Sequence, residues 1–208
     1  MSFDRVAPHY RWLETLVFGN QLQQARIEFV GEIESPRRVL IVGEGNGRFL
    51  AEFVRSHPGA VVDCIEASGR MIELARRKKG NGRPNFVQED IRKVPLQANH
   101  YDLIVTHFVL DCFAGDALRE VVEQLADAAN SRASWLLADF TEPAGGWRRW
   151  HARLWLGAMY LFFRLTSNLQ TRRLDDPSAL LCAAGFDCVR RNDWRFGLIK
   201  SELWRHRA

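Results

Sequence analysis

The sequence predicts an α/β fold in which a mostly parallel sheet carries helices on both faces. Two features of the chain order predict it, and its size allows it. Apolar runs of strand length alternate with helical stretches from Val39 to about Phe140, the pattern of parallel strands joined by crossover helices. The first of these runs, Val39-Leu40-Ile41-Val42, passes into Gly43-Glu44-Gly45-Asn46-Gly47 and then into a helix starting near Arg48. Such a turn lets backbone N–H groups approach a ligand with no Cβ in the way. The 208 residues, 47% hydrophobic and 26% charged, suit one globular domain with a substantial core.

Taken in order, residues from about Arg5 to Gly31 read as helical. Trp12, Leu13, Leu16 and Val17 recur near a 3.6 spacing, and Leu22, Ile27, Phe29 and Val30 continue it. After the first strand, Phe49 to Ser56 forms a helical stretch, and Val61 to Ile65 reads as a second strand ending at Glu66. Met71 to Lys79 is helical, with Ser68 as its N-cap. A short strand at Phe86-Val87 ends near the acids Glu89 and Asp90, and Tyr101 to Phe108 is a fourth strand. Asp116 to Ala129 is helical and Ser134 to Asp139 is a fifth strand. An insertion rich in Trp, Arg and Phe then runs from Gly145 to about Thr171. Asp176 to Ala184 forms a short helix with Asp176 as cap and Gly185 as stop, before a hairpin of Phe186 to Arg191 and Phe196 to Arg205.

Spacing narrows the ligand. Nicotinamide and flavin sites usually carry G-x-G-x-x-G, whereas Gly43, Gly45 and Gly47 close one residue sooner. Glu66 lies 21 residues past Gly45, where a carboxylate at the tip of the adjacent strand can accept the ribose hydroxyls of an adenosyl group. The glycine loop, the run Glu66-Ala67-Ser68-Gly69-Arg70-Met71, the pair Asp90-Ile91 and the end of the fourth strand occur in the right order. Together they resemble the class I S-adenosylmethionine-dependent methyltransferases. Within that family the chain resembles the ubiquinone/menaquinone C-methyltransferases and their small-molecule relatives. Phe3-Asp4-Arg5-Val6-Ala7-Pro8-His9-Tyr10, Leu137 to Pro143 and the closing stretch from Leu180 to Ile199 carry this closer likeness.

The resemblance implies a three-layer Rossmann-like fold with a seven-stranded, mostly parallel sheet and an antiparallel last strand. It also implies S-adenosylmethionine as cofactor. Gly43, Gly45 and Gly47 would pass close to the methionyl part, with Glu44 and Asn46 lining that end. Glu66, followed by Ala67 and Ser68, would hold the ribose. Met71 would pack on the adenine, and Asp90 with Ile91 would bracket its edge. Thr106, His107 and Phe108 would line the pocket, and Tyr10 would close over it. Two departures stand out. Motif I commonly carries an acid two positions before its first glycine, and here that position is Ile41; Glu44 is expected to take over its solvent-linked contact to the methionyl ammonium. The Pro-Gly-Gly turn usual before the fifth strand is replaced by Ala129-Asn130-Ser131-Arg132-Ala133.

Methyl transfer from a sulfonium needs alignment of nucleophile, methyl and sulfur, and neither a metal nor a covalent intermediate is obligatory. His107 and Asp111 are the candidate catalytic groups, each able to orient or deprotonate an acceptor hydroxyl. The plainer alternatives are a histidine that lines the cofactor pocket and an aspartate that is an exposed helix cap. No metal is expected. Thr106-His107-Phe108-Val109 departs from the Asn/Asp-Pro-Pro-Tyr/Phe run of amino-methylating nucleic-acid enzymes. Asp139 is followed by Phe140 rather than the asparagine of metal-dependent catechol methylation.

The expected domain organisation is a single methyltransferase domain over 1–208, with a helical cap over 1–35 and a helical insertion over 144–172 roofing the substrate side. If Trp147 to Leu165 is one helix, Arg149, Arg153, Tyr160 and Arg164 share an arc of about 60°. Trp150, Leu154, Ala158, Leu161 and Leu165 then form a wide apolar face. Such a helix could roof a pocket, form the seam of a homodimer or lie on a membrane surface. A pocket roof is favoured, with at most weak peripheral membrane contact. The expected acceptor is an aromatic or lipophilic small molecule. The alternatives are an RNA methyltransferase, suggested by Arg76-Arg77-Lys78-Lys79, Arg172-Arg173 and Arg190-Arg191, and a cofactor-binding interaction protein without catalysis. No nucleic-acid partner is expected, since a net charge of +4 does not require one. Cys64, Cys112, Cys182 and Cys188 lack metal-site or disulfide-framework spacing, and no leader or membrane-spanning pattern is seen, so a cytoplasmic location is expected.

Overall fold

The computed structural model describes residues 20–78, 82–141 and 175–207. A seven-stranded sheet organises them. Its strands are β1 (Arg38–Val42), β2 (Val61–Ile65), β3 (Asn85–Val87), β4 (Tyr101–His107), β5 (Ala129–Phe140), β6 (Phe186–Trp194) and β7 (Ile199–His206). Their spatial order is β3-β2-β1-β4-β5-β7-β6. The pairs β2 with β3, β1 with β2, β1 with β4 and β4 with β5 are parallel, and β7 runs antiparallel to both β5 and β6. The order turns back at β1, so the crevice outside the carboxyl ends of β1 and β4 is where an open α/β sheet receives its ligand.

Among the described residues five α-helices flank the sheet: α1 (Gln21–Ile27), α2 (Arg48–Ser56), α3 (Gly69–Lys78), α4 (Asp116–Ala128) and α5 (Ser178–Ala183). Alternate strand residues feed opposite cores. Leu40, Ile104, Trp135 and Leu137 join Val121, Val122 and Leu125 of α4 on one face. Val39, Ile41, Leu103, Val105 and Leu136 join Phe49, Leu50 and Phe53 of α2 on the other. Strands buried on both faces read as continuous apolar runs, which is why they are visible in the sequence.

The hairpin strands run Phe186–Trp194 and Ile199–His206 rather than to Arg191 and from Phe196, and three further boundaries that differ from expectation bear on the fold. The first helix ends at Ile27 and gives way to a tighter turn over Val30–Glu32. That change of pitch aims Phe29, Val30 and Ile33 into the α2-side core. The strand β5 begins at Ala129, so no separate turn stands in place of the missing Pro-Gly-Gly; α4 passes directly into extended backbone. The short α5 starts two residues after Asp176, whose Oδ1 accepts the Ser178 N–H at 3.0 Å. Residues 1–19, including Tyr10, and the expected insertion over 144–172 lie outside the described residues.

Candidate cofactor cradle and acceptor side

The glycine loop sits between β1 and α2. Gly43, Gly45 and Gly47 all have φ between 66° and 82°, a region open to glycine at little cost. Two of the three are also closed in by neighbours. A Cβ on Gly47 would lie 2.5 Å from the Ala75 Cα of α3, and one on Gly43 would lie 2.8 Å from Val109 Cγ2. A Cβ on Gly45 meets nothing within 4 Å. The loop is thus pinned at both ends and open in the middle, the shape of a cradle for a ligand passing over backbone.

Glu66 closes this cradle from the tip of β2. Its Oε2 accepts the Gly45 N–H and its Oε1 the Ser68 N–H, both at 2.9 Å. These bonds fix the carboxylate beside the open face of Gly45. The residues therefore fit an adenosyl group with a methionyl tail over the loop. Ser68 Oγ accepts the Met71 N–H at 3.2 Å and so caps α3. Met71 and Ile91 are buried, and Ala67 is partly exposed.

Three side chains expected at the cofactor are engaged elsewhere. Glu44 is buried and its Oε1 accepts the Leu50 N–H at 3.0 Å. It caps α2 from inside, turned away from the methionyl end where the sequence predicts it; Asn46 is buried as well, and Gly45 between them is partly exposed. Burial pushes its carboxyl up to about 7, against the pull of the Leu50 N–H and of Arg26. Asp90 caps the turn at Ile91–Lys93, accepting the Arg92 N–H at 3.1 Å and its guanidinium at 2.6 Å and 3.0 Å. That hydrogen bonding holds Asp90 near 2. Thr106 is fully buried, its Oγ1 accepts the Trp135 indole N–H at 2.8 Å, and its backbone lies in the sheet between Val42 and Leu137.

Strand alternation sends His107 to the opposite face from Thr106. There it meets Phe49 edge-on, with ring centroids 4.5 Å apart. Burial first, and then Arg26, hold its pKa well below the ordinary imidazole value, so the ring is neutral. Phe108 follows with φ +56°, an uncommon conformation for a bulky residue. Its N–H donates to Ala138 O at 2.7 Å, its ring lies 5.0 Å from that of Phe140, and Arg26 stands 5.1 Å over it. The bend turns the chain into Val109, against Gly43, and then into the turn Leu110–Cys112.

That turn carries Asp111, which is buried rather than an exposed cap. Its backbone N–H donates to Asp139 Oδ2 at 3.2 Å, and the Cys112 thiol lies 3.6 Å from its Oδ1. Asp139, near the carboxyl end of β5, is 2% exposed. It is register-paired with Lys200 of β7, itself 1% exposed. The Lys200 Nζ reaches Asp176 Oδ1 at 2.8 Å, Ser178 Oγ at 3.2 Å and Glu202 Oε2 at 3.2 Å. Sequence reasoning missed Asp139 and Lys200. A signal for Lys200 was available: it stands with Glu202 in a strand bounded by the apolar Ile199, Leu203 and Trp204 and buried over most of its length. Among the described residues no group of three or more His, Cys, Asp or Glu could hold a metal ion. No helix among them is long and apolar enough to cross a membrane.

Comparison with known proteins agrees with this geometry. Residues 39–132 match the model of a methyltransferase domain. A malonyl-[acyl-carrier protein] O-methyltransferase of Halalkalibacterium halodurans is 35% identical over 97 residues, covering 44% of this chain and 35% of its own length. A ubiquinone/menaquinone biosynthesis C-methyltransferase of Pseudomonas paraeruginosa is 28% identical over 152 residues, 68% of this chain and 57% of its own. The chain thus spans about a third to somewhat over half of these curated relatives. Among solved structures, the 1,6-didemethyltoxoflavin-N1-methyltransferase of Burkholderia thailandensis, with 1,6-didemethyltoxoflavin and S-adenosylhomocysteine bound, superimposes with a TM-score of 0.69. It is 17% identical, and 98% of this chain and 85% of that one are covered. Residues 39–132 thus resemble a methyltransferase domain, the fold is the Rossmann-like one of the solved methyltransferases, and the chain resembles the S-adenosylmethionine-dependent enzymes of class I, quinone C-methyltransferases among them.

Proposed function

We propose that this chain transfers a methyl group from S-adenosylmethionine to a small-molecule acceptor of aromatic or lipophilic character. The observation that carries the cofactor reading is the closure of the glycine loop by Glu66, bonded to the one loop glycine that is open to a ligand. Once bound, S-adenosylmethionine supplies an electrophilic methyl and its own leaving group. The chain's residues bind and orient. Glu66 accepts the ribose hydroxyls, Gly45 and Asn46 border the methionyl tail, and Met71 and Ile91 supply apolar contact for the adenine. The end of β4, bent at Phe108, borders the acceptor.

Two observations support a small acceptor over RNA. Of the basic clusters, Arg190 pairs with Glu32 at 3.3 Å, while Arg191 pairs with Glu202 and with Asp193, each at 3.1 Å. These guanidiniums are partly neutralised rather than arrayed toward a phosphate backbone. The relatives named above include methyltransferases whose names specify quinone biosynthesis and an acyl carrier. The aromatic insertion supports the lipophilic part of the reading through its composition: Trp147, Trp150, Trp155, Tyr160, Phe162 and Phe163 lie within 17 residues of one another.

The test is calorimetry with S-adenosylmethionine, followed by transfer of its labelled methyl to a panel of phenols, hydroquinones and fatty acids, with bulk RNA in parallel. Binding with label on a small molecule is the expected result. Label confined to RNA or protein would replace the acceptor class, and absence of cofactor binding by folded protein would remove the reading.

A further inference from the structure

The buried carboxylates at the ends of β4 and β5 are more than a structural pair. Building on the methyltransferase reading above, we propose that Asp111 accepts the proton of the methyl acceptor while Asp139 positions it by sharing a proton with it. The acceptor atom is then one that must shed a proton, such as a phenol or hydroquinone hydroxyl, rather than a carboxylate that is already a nucleophile.

Location is the first argument. The turn bearing Asp111 begins one residue after Val109, whose side chain lies against Gly43 of the cofactor loop. The Glu66 carboxylate is close enough for its charge to be felt at Cys112. The pair therefore flanks the cradle on the acceptor side, at the carboxyl ends of two adjacent parallel strands.

Chemistry is the second. Asp139 Oδ1 accepts the Phe140 N–H at 3.1 Å and its Oδ2 accepts the Asp111 N–H, so its carboxyl is held rigidly beside Asp111. Two carboxylates in contact at low exposure cannot both ionise. The groups facing them are Cys112 from the same turn and Lys200 from β7. Burial raises both carboxyls, Asp111 to about 6 and Asp139 well beyond the ordinary carboxylate range, despite the Lys200 charge. The pair therefore holds one proton between its two carboxyls, and Asp111, carried on the turn that follows Val109 beside the cofactor loop, is the member placed to receive the acceptor's proton.

The step balances. The acceptor O–H breaks and its proton goes to an Asp111 oxygen. The hydroxyl oxygen, or the ring carbon it activates with later loss of the ring proton, forms the new bond to the methyl carbon. The methyl–sulfur bond breaks with its electron pair left on sulfur. The pair passes from one proton to two and returns one to solvent.

Asp111→Asn and Asp139→Asn test this, because both keep size and hydrogen-bonding oxygen. Asp111→Asn is expected to bind S-adenosylmethionine like the parent and to lose about 100-fold or more in turnover on phenols or hydroquinones. Asp139→Asn is expected to retain part of the turnover and to move the acidic limb of its pH profile up by about one unit, because an amide donates to the Asp111 carboxylate more weakly than the shared proton does. Turnover in Asp111→Asn within a few-fold of the parent overturns the proposal, as does an unmoved acidic limb in Asp139→Asn. Preferential methylation of fatty-acid carboxylates, or no transfer to any phenol or hydroquinone by cofactor-bound protein, also overturns it. Failure of the parent chain to bind S-adenosylmethionine instead defeats the reading on which the proposal rests.

Discussion

Gly47 shows how one residue joins fold to site. Its φ of +82° places α2 behind the loop, and a Cβ there would strike the Ala75 backbone. Relieving that contact requires separating α2 from α3, because the obstacle is main chain rather than a flexible side chain. Gly47→Ala should therefore destabilise the fold by about 2 kcal/mol or more, combining unfavourable φ with overpacking, read as a fall in the urea midpoint. Glu66 is the complementary case. Glu66→Ala removes the acceptor for the ribose hydroxyls and frees the Gly45 and Ser68 N–H groups. S-adenosylmethionine affinity should fall by about 1.5–3 kcal/mol for each charged hydrogen bond lost, measured by calorimetry on a sample shown to be folded; unchanged affinity would mean the ribose is held elsewhere. Glu66 was readable from its distance to Gly45 along the chain. Glu44 was not, because the side a loop residue faces depends on where the following helix packs. Burial against α2 turned it inward to the Leu50 N–H.

Among the elements, β7 carries the least expected design. It is antiparallel, lies between β5 and β6, and buries Lys200 and Glu202 on one face while Ile199 and Leu203 fill the other. The charges are tolerated because each is paired and hydrogen-bonded: Lys200 by Asp176, Ser178 and Glu202, and Glu202 also by Arg191 and the Trp204 indole N–H at 3.1 Å. Lys200→Met would remove the cation that Asp176 and Glu202 share and leave the buried Glu202 with Arg191 as its ion-pair partner. A loss of about 3–5 kcal/mol is expected, seen as a lowered urea midpoint. A midpoint at or above the parent's would mean that the lysine is stabilised no better than a hydrophobe of its size. The strands β1, β2, β4 and β5 were legible as apolar runs because both of their faces are covered. The first helix was read too long, since its apolar period continues through Phe29 and Val30 while the chain has already tightened into a different turn.

At the scale of the whole molecule, buried acids shape the response to pH. Glu44 titrates at about 7 in the folded protein against an ordinary value of 4.5. Between those values the native state binds more protons than the unfolded chain, so stability falls as pH rises through this window. The slope is about 1.4 kcal/mol per pH unit for one such group. Asp111, raised to about 6, adds a slope of the same sign below that pH. Asp90, lowered to about 2, acts oppositely: its contribution is present above 3.8 and is lost as pH falls toward 2. Urea midpoints followed from pH 4.5 to 7 should decline, and Glu44→Gln should flatten that decline. An identical slope in the variant would show that Glu44 ionises freely in the folded chain.

The sequence by itself determined the alternation that makes this an α/β sheet, the glycine loop after the first strand and the acid at the tip of the second. Each is local: strand periodicity, backbone freedom at a turn and a fixed count along the chain. Tertiary structure alone decided which polar side chains face a ligand and which serve the core. Glu44, Asp90 and Thr106 were absorbed by a helix end, an arginine and an indole, while Asp111 and Asp139, 28 residues apart, were brought into contact. The physical reason is that burial and the partners it supplies depend on neighbouring strands. Two strands side by side in the sheet can come from distant parts of the chain, and their contacts leave no spacing to be read.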